Sequence, residues 1–242
     1  VPAGLDGNQN PVTTPERSGV IDAVVATIEA AKLPDRPLMV AIDGIDGTGK
    51  STFADEVANT ARERGLRIVR STIDSFHNER RIRHSRGPTS PLGFYADSHD
   101  LAALQGVLLD PFLSGAGASY RLAVFDEPND SPVHMPPATV GLEDILVFDG
   151  IFLQRPELTA YWDLIVFLDG QQRVDLERLG LVVADLPSDP IEVVAHTLTW
   201  SKRIDRYSSG LRHYLDLVDP QASADLVIDN NDISAPFIVE HS

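Results

Sequence analysis

Residues Gly44-Ile45-Asp46-Gly47-Thr48-Gly49-Lys50-Ser51 fit the pattern G-x-x-x-x-G-K-[ST] at every fixed position. The pattern has a physical job. Glycines let backbone N–H groups crowd around phosphate oxygens, a lysine reaches the outer phosphates, and a hydroxyl ligates Mg²⁺. The apolar run 38–42 precedes it and a helical pattern follows, the strand–loop–helix setting of a P-loop. Gly44, Asp46, Gly47, Thr48, Gly49, Lys50, Ser51 and Thr52 are therefore the candidate nucleotide-binding residues, with Lys50 as the charge-neutralising catalytic group and Ser51 as a metal ligand. Such a loop implies a nucleoside triphosphate, ATP or GTP, with Mg²⁺.

Three acids stand where expected strands end. Asp149 closes the run 145–148, as a metal-holding acid after a strand does. Asp74 follows the run 66–72 and is the candidate general base, because phosphoryl transfer needs alignment, charge neutralisation and only a modest base. Asp169 ends the run 164–168 and reads as a turn residue before a helix.

The elements that must hold these groups are legible as an alternation. Thr14-Pro15-Glu16 resembles a capped helix start, leading into helical spacing over 20–31. Strands are expected at 38–42, 66–72, 145–149, 164–168 and 226–228. Helices are expected from the P-loop to residue 64, over 98–109, from Asp189-Pro190 to about 206, and over 211–217. Residues 74–97 form a His/Arg-rich crossing segment, 120–125 a strand-like run, and 128–139 a Pro-rich loop. This order predicts one doubly wound, parallel, five-stranded α/β sheet of the P-loop NTPase type. Residues 1–15 read as a disordered N-terminal arm or processing remnant without an initiator Met, and 16–242 as a single domain.

With 43% hydrophobic residues among 242, the chain can bury a full core. There is no cysteine, which excludes disulfides and thiolate metal sites and suits a cytoplasmic setting. No apolar stretch reaches membrane-spanning length. A formal charge of −16 argues against nucleic-acid partners. The basic residues gather at 80–86 and 202–212, where they can offset the charge of a bound polyphosphate.

Six segments occur in order: the P-loop, Ile73-Asp74-Ser75-Phe76-His77, Gly93-Phe94-Tyr95-Ala96-Asp97-Ser98, Phe148-Asp149-Gly150-Ile151-Phe152, Trp162 through Asp169, and Ala224 through Asn230. The series resembles the uridine kinase and phosphoribulokinase-like group of P-loop kinases, over about 38–236. The resemblance implies transfer of a γ-phosphate to the hydroxyl of a nucleoside such as uridine or cytidine, or of a related sugar alcohol. Asp74 matches the group's base, and Asp149 stands where the group often has Glu. Phe76, His77, Arg80, Tyr95 and Tyr120 match the acceptor-binding stretch, Tyr120 as its base-stacking aromatic.

One segment departs from the pattern. The resemblance implies an arginine-rich lid at about 173–212, in which Arg178 fits the first phosphate-clamping arginine and Asp185 its acidic partner. The second arginine gives way to the apolar run 181–184, with Lys202, Arg203, Arg206 or Arg212 as candidate substitutes. Two alternatives stay open. A thymidylate kinase-like enzyme has a similar P-loop, and Asp205-Arg206-Tyr207 echoes its Asp-Arg-Tyr motif, but at the wrong place in the chain. A nucleotide-binding P-loop protein with a degraded lid would have little kinase activity.

Overall fold

In the computed structural model, residues 14–170 and 190–239 are described. Of the predicted lid at about 173–212, residues 173–189, with Arg178 and Asp185, lie outside them, as does nearly all of the N-terminal arm.

Six strands form the main sheet: β1 (Leu38–Gly44), β2 (Arg67–Thr72), β3 (Asp144–Asp149), β4 (Leu164–Asp169), β5 (Leu226–Asp229) and β6 (Phe237–Ile238). Their order is β6-β5-β4-β1-β3-β2. The first five are parallel, as the alternation predicts, and the short β6 adds an antiparallel edge. β6 escapes sequence reading because a two-residue strand carries no periodicity.

Alternate residues of each strand face opposite layers. Leu38, Val40, Ile42, Ile145, Val147 and Val166 pack on helices α1 (Pro15–Ala30) and α2 (Lys50–Glu63). Met39, Ala41, Leu146, Phe148 and Phe167 pack on the other face against Leu104, Leu108, Phe112 and Trp162. Both faces being covered explains why the strands read as continuous apolar runs.

Local differences have local causes. The expected helix over 98–109 is a short α-turn, Leu101–Leu104, passing into a π-turn, Gln105–Leu109, and a last α-turn, Asp110–Ser114. The run 120–125 is not one strand. Ser119–Tyr120 pairs with Ala138–Thr139, and Phe125–Asp126 pairs with Ser131–Pro132, so the Pro-rich loop supplies the partners of two small ribbons. Helix α3 (Pro91–Asp97) starts at Ser90, whose hydroxyl caps Gly93 N–H. The two helices expected after Pro190 are a single helix, α4 (Pro190–Val218), because Gly210 is absorbed rather than breaking it. A Cβ at Gly210 would lie 2.8 Å from Phe94 Cδ1 and 2.9 Å from Pro91 O, so glycine there lets α4 lie directly on α3.

One buried polar knot ties α4 to the sheet. Asp43, fully buried near the end of β1, accepts hydrogen bonds from Leu153 N (3.3 Å), Gln154 Nε2 (3.1 Å) and the Tyr214 hydroxyl. Burial pushes the Asp43 carboxyl above its usual range, and the Tyr214 bond works against that shift. Burial and the neighbouring carboxylate push the Tyr214 phenol up.

Two outcomes follow. Gly44 has φ +152°, and a Cβ there would sit 2.3 Å from Leu168 O, a backbone atom of β4. Gly44→Ala should cost roughly 2–4 kcal/mol in urea unfolding, and an unchanged midpoint would contradict this packing. Tyr214→Phe should cost about 1–3 kcal/mol. The sign with pH is set by Asp43. A folded pKa above the usual carboxylate range gives stability that is complete at low pH and is lost as pH rises through the folded pKa. Removing the Tyr214 donor raises that pKa further, so the Tyr214→Phe penalty should grow as pH rises through the folded pKa of Asp43, at pH values below the ordinary phenol range. A penalty that shrinks over that range would refute the knot.

Candidate active site

Sheet register assembles the site. Ile42 on β1 pairs with Asp149 on β3, which pairs in turn with Thr72 on β2. The P-loop, Asp149 and Asp74 therefore leave the sheet side by side at its carboxyl edge, where ligands of such sheets bind.

The P-loop spans the gap from β1 to α2. Gly47 and Gly49 have φ +78° and +86°, which turns successive N–H groups toward one point. Gly49 caps α2 without a side chain, so the first N–H groups of the helix stay available to an anion. Lys50 is buried and donates to Ile45 O at 2.7 Å, inside the loop's own curve. Burial pulls its pKa down, while Asp46, Asp43, Asp149 and Asp74 hold it up. Thr48 is also buried, its hydroxyl donating to Ile45 O at 2.7 Å.

Ser51 Oγ donates to Asp149 Oδ2 at 2.7 Å. Asp149 is 1% exposed, and its Oδ1 is buried without an aligned hydrogen bond, although Arg70 Nη1 stands 2.8 Å away as an ion pair. A hydroxyl and a carboxylate with an unsatisfied oxygen are hard oxygen donors, which fits Mg²⁺. Thr72 Oγ1 accepts from Asp74 N (3.4 Å) at the start of a 3₁₀ turn that leaves the Asp74 side chain exposed. His77 Nδ1 lies 2.9 Å from Asp74 O, and the His77 and His99 rings are 4.6 Å apart.

A cavity of about 410 Å³ joins these parts. Asp46, Gly47, Gly49, Lys50, Ser51 and Thr52 line it, with Asp74, His77 and Asp149. Gly44 and Thr48 lie beneath the loop rather than on the cavity surface. Of the expected acceptor-side residues, only His77 lines the cavity; Phe76, Arg80, Tyr95 and Tyr120 do not. The three aromatics are buried, because their apolar bodies pack elsewhere: Phe76 against Phe148 at 6.2 Å, Tyr120 against Phe112 at 5.1 Å, and Tyr95 against Phe152 at 5.1 Å. Arg80 is exposed, its backbone N–H donating to Asp130 at 2.7 Å.

The sequence gives the remaining site residues no role, apart from Arg206, a candidate substitute for the second lid arginine. Asn230 donates from Nδ2 to Thr48 O at 2.7 Å and accepts from Arg17 Nη1 at 3.2 Å, bracing the P-loop from β5 and α1. Its only sequence signal is its position after the last parallel strand. Arg83, His84, Phe94, Glu127, Arg206 and Tyr207 form another wall of the cavity. Arg83 and Arg206 come from the two basic clusters of the sequence, which fold together here.

No protein-family model matches the chain. It is 26% identical over 115 residues to an uncharacterized kinase, mug58, of Schizosaccharomyces pombe. That match covers 45% of this chain and 41% of the relative's length. Among solved structures, that of a possible uridine kinase from Bacillus stearothermophilus superposes with a TM-score of 0.66 and 24% identity, covering 87% of this chain and 97% of that one. The structure of the YGR205w protein gives a TM-score of 0.57 and 15% identity, covering 94% of this chain and 100% of that one. Among the described residues, no helix is long and apolar enough to cross a membrane. The chain thus has the mostly parallel α/β fold of the uridine kinase-like P-loop structures.

Proposed function

We propose that this protein is a Mg²⁺-dependent kinase that transfers the γ-phosphate of ATP or GTP to a hydroxyl of a nucleoside or related sugar alcohol. One observation carries the proposal: Lys50, Ser51, Asp149 and Asp74 line a single cavity at the carboxyl edge of the sheet. A phosphate-binding module alone needs the first two. The added carboxylates are what a phosphoryl transfer requires.

In this mechanism the P-loop N–H groups and Lys50 hold the β- and γ-phosphates, Lys50 exchanging its bond to Ile45 O for phosphate oxygens. Ser51 and Asp149 would hold Mg²⁺, which supplies charge neutralisation on the phosphates. The acceptor hydroxyl is aligned with the γ-phosphorus. Its oxygen bonds to phosphorus as the bond to the β–γ bridging oxygen breaks, and its proton passes to the Asp74 carboxylate. The products are the nucleoside diphosphate and a phosphate ester.

The test is acceptor-dependent ADP release across nucleosides, thymidylate and small sugar alcohols, with ATP and Mg²⁺. Chelation of the metal should abolish it. Asp74→Asn should keep nucleotide affinity and lower kcat by about 10²–10⁴. Unchanged turnover would remove Asp74 as the base, and tight nucleotide binding with no acceptor response would leave a nucleotide-binding module instead.

A further inference from the structure

Two imidazoles and a carboxylate meet beside the P-loop cavity. Asp74 and His77 line it, and His99 stands behind them, its ring centre 4.6 Å from that of His77. One nitrogen of each ring and one oxygen of the Asp74 carboxylate lie within 4.8 Å of one another.

Two backbone devices bring them together. Ile73–Phe76 is a 3₁₀ turn, in which side chains three residues apart eclipse, so Asp74 and His77 leave the chain on the same side. His77 then forms an isolated antiparallel bridge with His99. The flanking bonds run from Asn78 N–H to Ser98 O at 2.9 Å and from Asp100 N–H to Phe76 O at 2.7 Å. They leave 77 and 99 as the non-hydrogen-bonded pair, in which facing side chains stand closest. Buried Phe76 and the Asn78 side chain, which donates to Asp97 O at 3.1 Å, pin the bridge in place.

Imidazole nitrogens with one carboxylate suit Zn²⁺ and its neighbours, whereas Mg²⁺ prefers oxygen alone. His77 Nδ1 stands 2.9 Å from Asp74 O. A carbonyl only accepts, so Nδ1 carries the proton and Nε2 keeps its lone pair, the way backbone carbonyls orient metal-binding histidines. Zinc ligands stand about 2.0–2.2 Å from the ion, so the three donors need to close to roughly 3.5 Å of one another. His99 is 5% exposed, while exposed Asp74 and half-buried His77 have room to rotate toward it. Three protein ligands leave a fourth position for water.

We infer that Asp74, His77 and His99 form a site for Zn²⁺ or a similar borderline divalent cation, separate from the oxygen donors Ser51 and Asp149, and that filling it switches the kinase off. The cation occupies a lone pair of the Asp74 carboxylate and draws off its charge, so the acceptor's proton loses its destination. The switch rests on the kinase mechanism above; the metal site does not.

The experiment titrates metal-free protein with Zn²⁺ against a chromophoric chelator, in excess Mg²⁺ and without nucleotide. One equivalent should bind despite the Mg²⁺, and Co²⁺ in its place should show the visible absorption of an imidazole-ligated, low-coordinate ion. His77→Ala, His99→Asn and Asp74→Asn should each weaken Zn²⁺ binding about 10-fold or more. Ser51→Ala and His134→Ala should leave it unchanged. Thermal unfolding reports whether each variant folds, and His77→Ala, at a half-buried position, carries the test if His99→Asn does not fold. With free Zn²⁺ set by a metal buffer, acceptor-dependent ADP release should fall as the site fills, and His99→Asn should shift that inhibition by the same factor as the binding. Binding that Mg²⁺ or Ser51→Ala abolishes, or that the three ligand variants leave intact, would overturn the site. Binding of the expected pattern with undiminished turnover would overturn the switch. Site-specific binding by a protein that turns over no acceptor would support the metal site and count against the kinase mechanism. Turnover without Zn²⁺ binding would do the reverse.

Discussion

The site depends on the level register of three parallel strands at their carboxyl ends. Ile42, Asp149 and Thr72 are hydrogen-bonded neighbours across β1, β3 and β2. A slip of one residue in β3 would turn Asp149 to the other face of the sheet and break its bond to Ser51. Buried runs such as Leu146 to Phe148, covered on both faces, oppose such a slip, because it would exchange which side chains meet α1 and α2. Core packing is therefore also the device that aligns a phosphate loop, an acid next to its hydroxyl and a second acid on the following strand.

Around that register the protein places buried polar groups where they stiffen the loop. Asp43 sits just before the P-loop and holds the segment after β3 through Leu153 and Gln154, and helix α4 through Tyr214. Asn230 holds Thr48 from the other side and is itself held by Arg17, which also pairs with Glu56 at 2.7 Å. Buried hydrogen-bond networks rigidify what they touch. Here they touch a glycine-rich turn and hold its backbone N–H groups in place.

Charge is arranged with the same economy. A chain with a formal charge of −16 concentrates Lys50, Arg83 and Arg206 on one cavity. Asp46, Asp74, Glu127 and Asp149 line the same cavity, so these cations face carboxylates within it. Asp149 is held between Arg70 and Ser51, which orients its carboxylate.

Much of this was legible beforehand. The P-loop, the strand-end acids Asp74 and Asp149, and five parallel strands follow from local patterns, since phosphate binding and strand burial are written in contiguous residues. The aromatics were not legible in the same way. Phe76, Tyr95 and Tyr120 lie in or near the right segments, yet pack in the interior, because a sequence gives an aromatic's position and not which way its turn directs it. Arg83 and Arg206 are 123 residues apart and meet only because α4 lies on α3 at Gly210. The sequence by itself determined the strand–loop–helix with its glycine-rich turn and which acids stand beside it, through short-range geometry that any such strand–loop–helix must adopt. Only the tertiary structure decided what faces that loop across the cavity, because that wall is made by long-range helix packing, whose pairings no local pattern encodes.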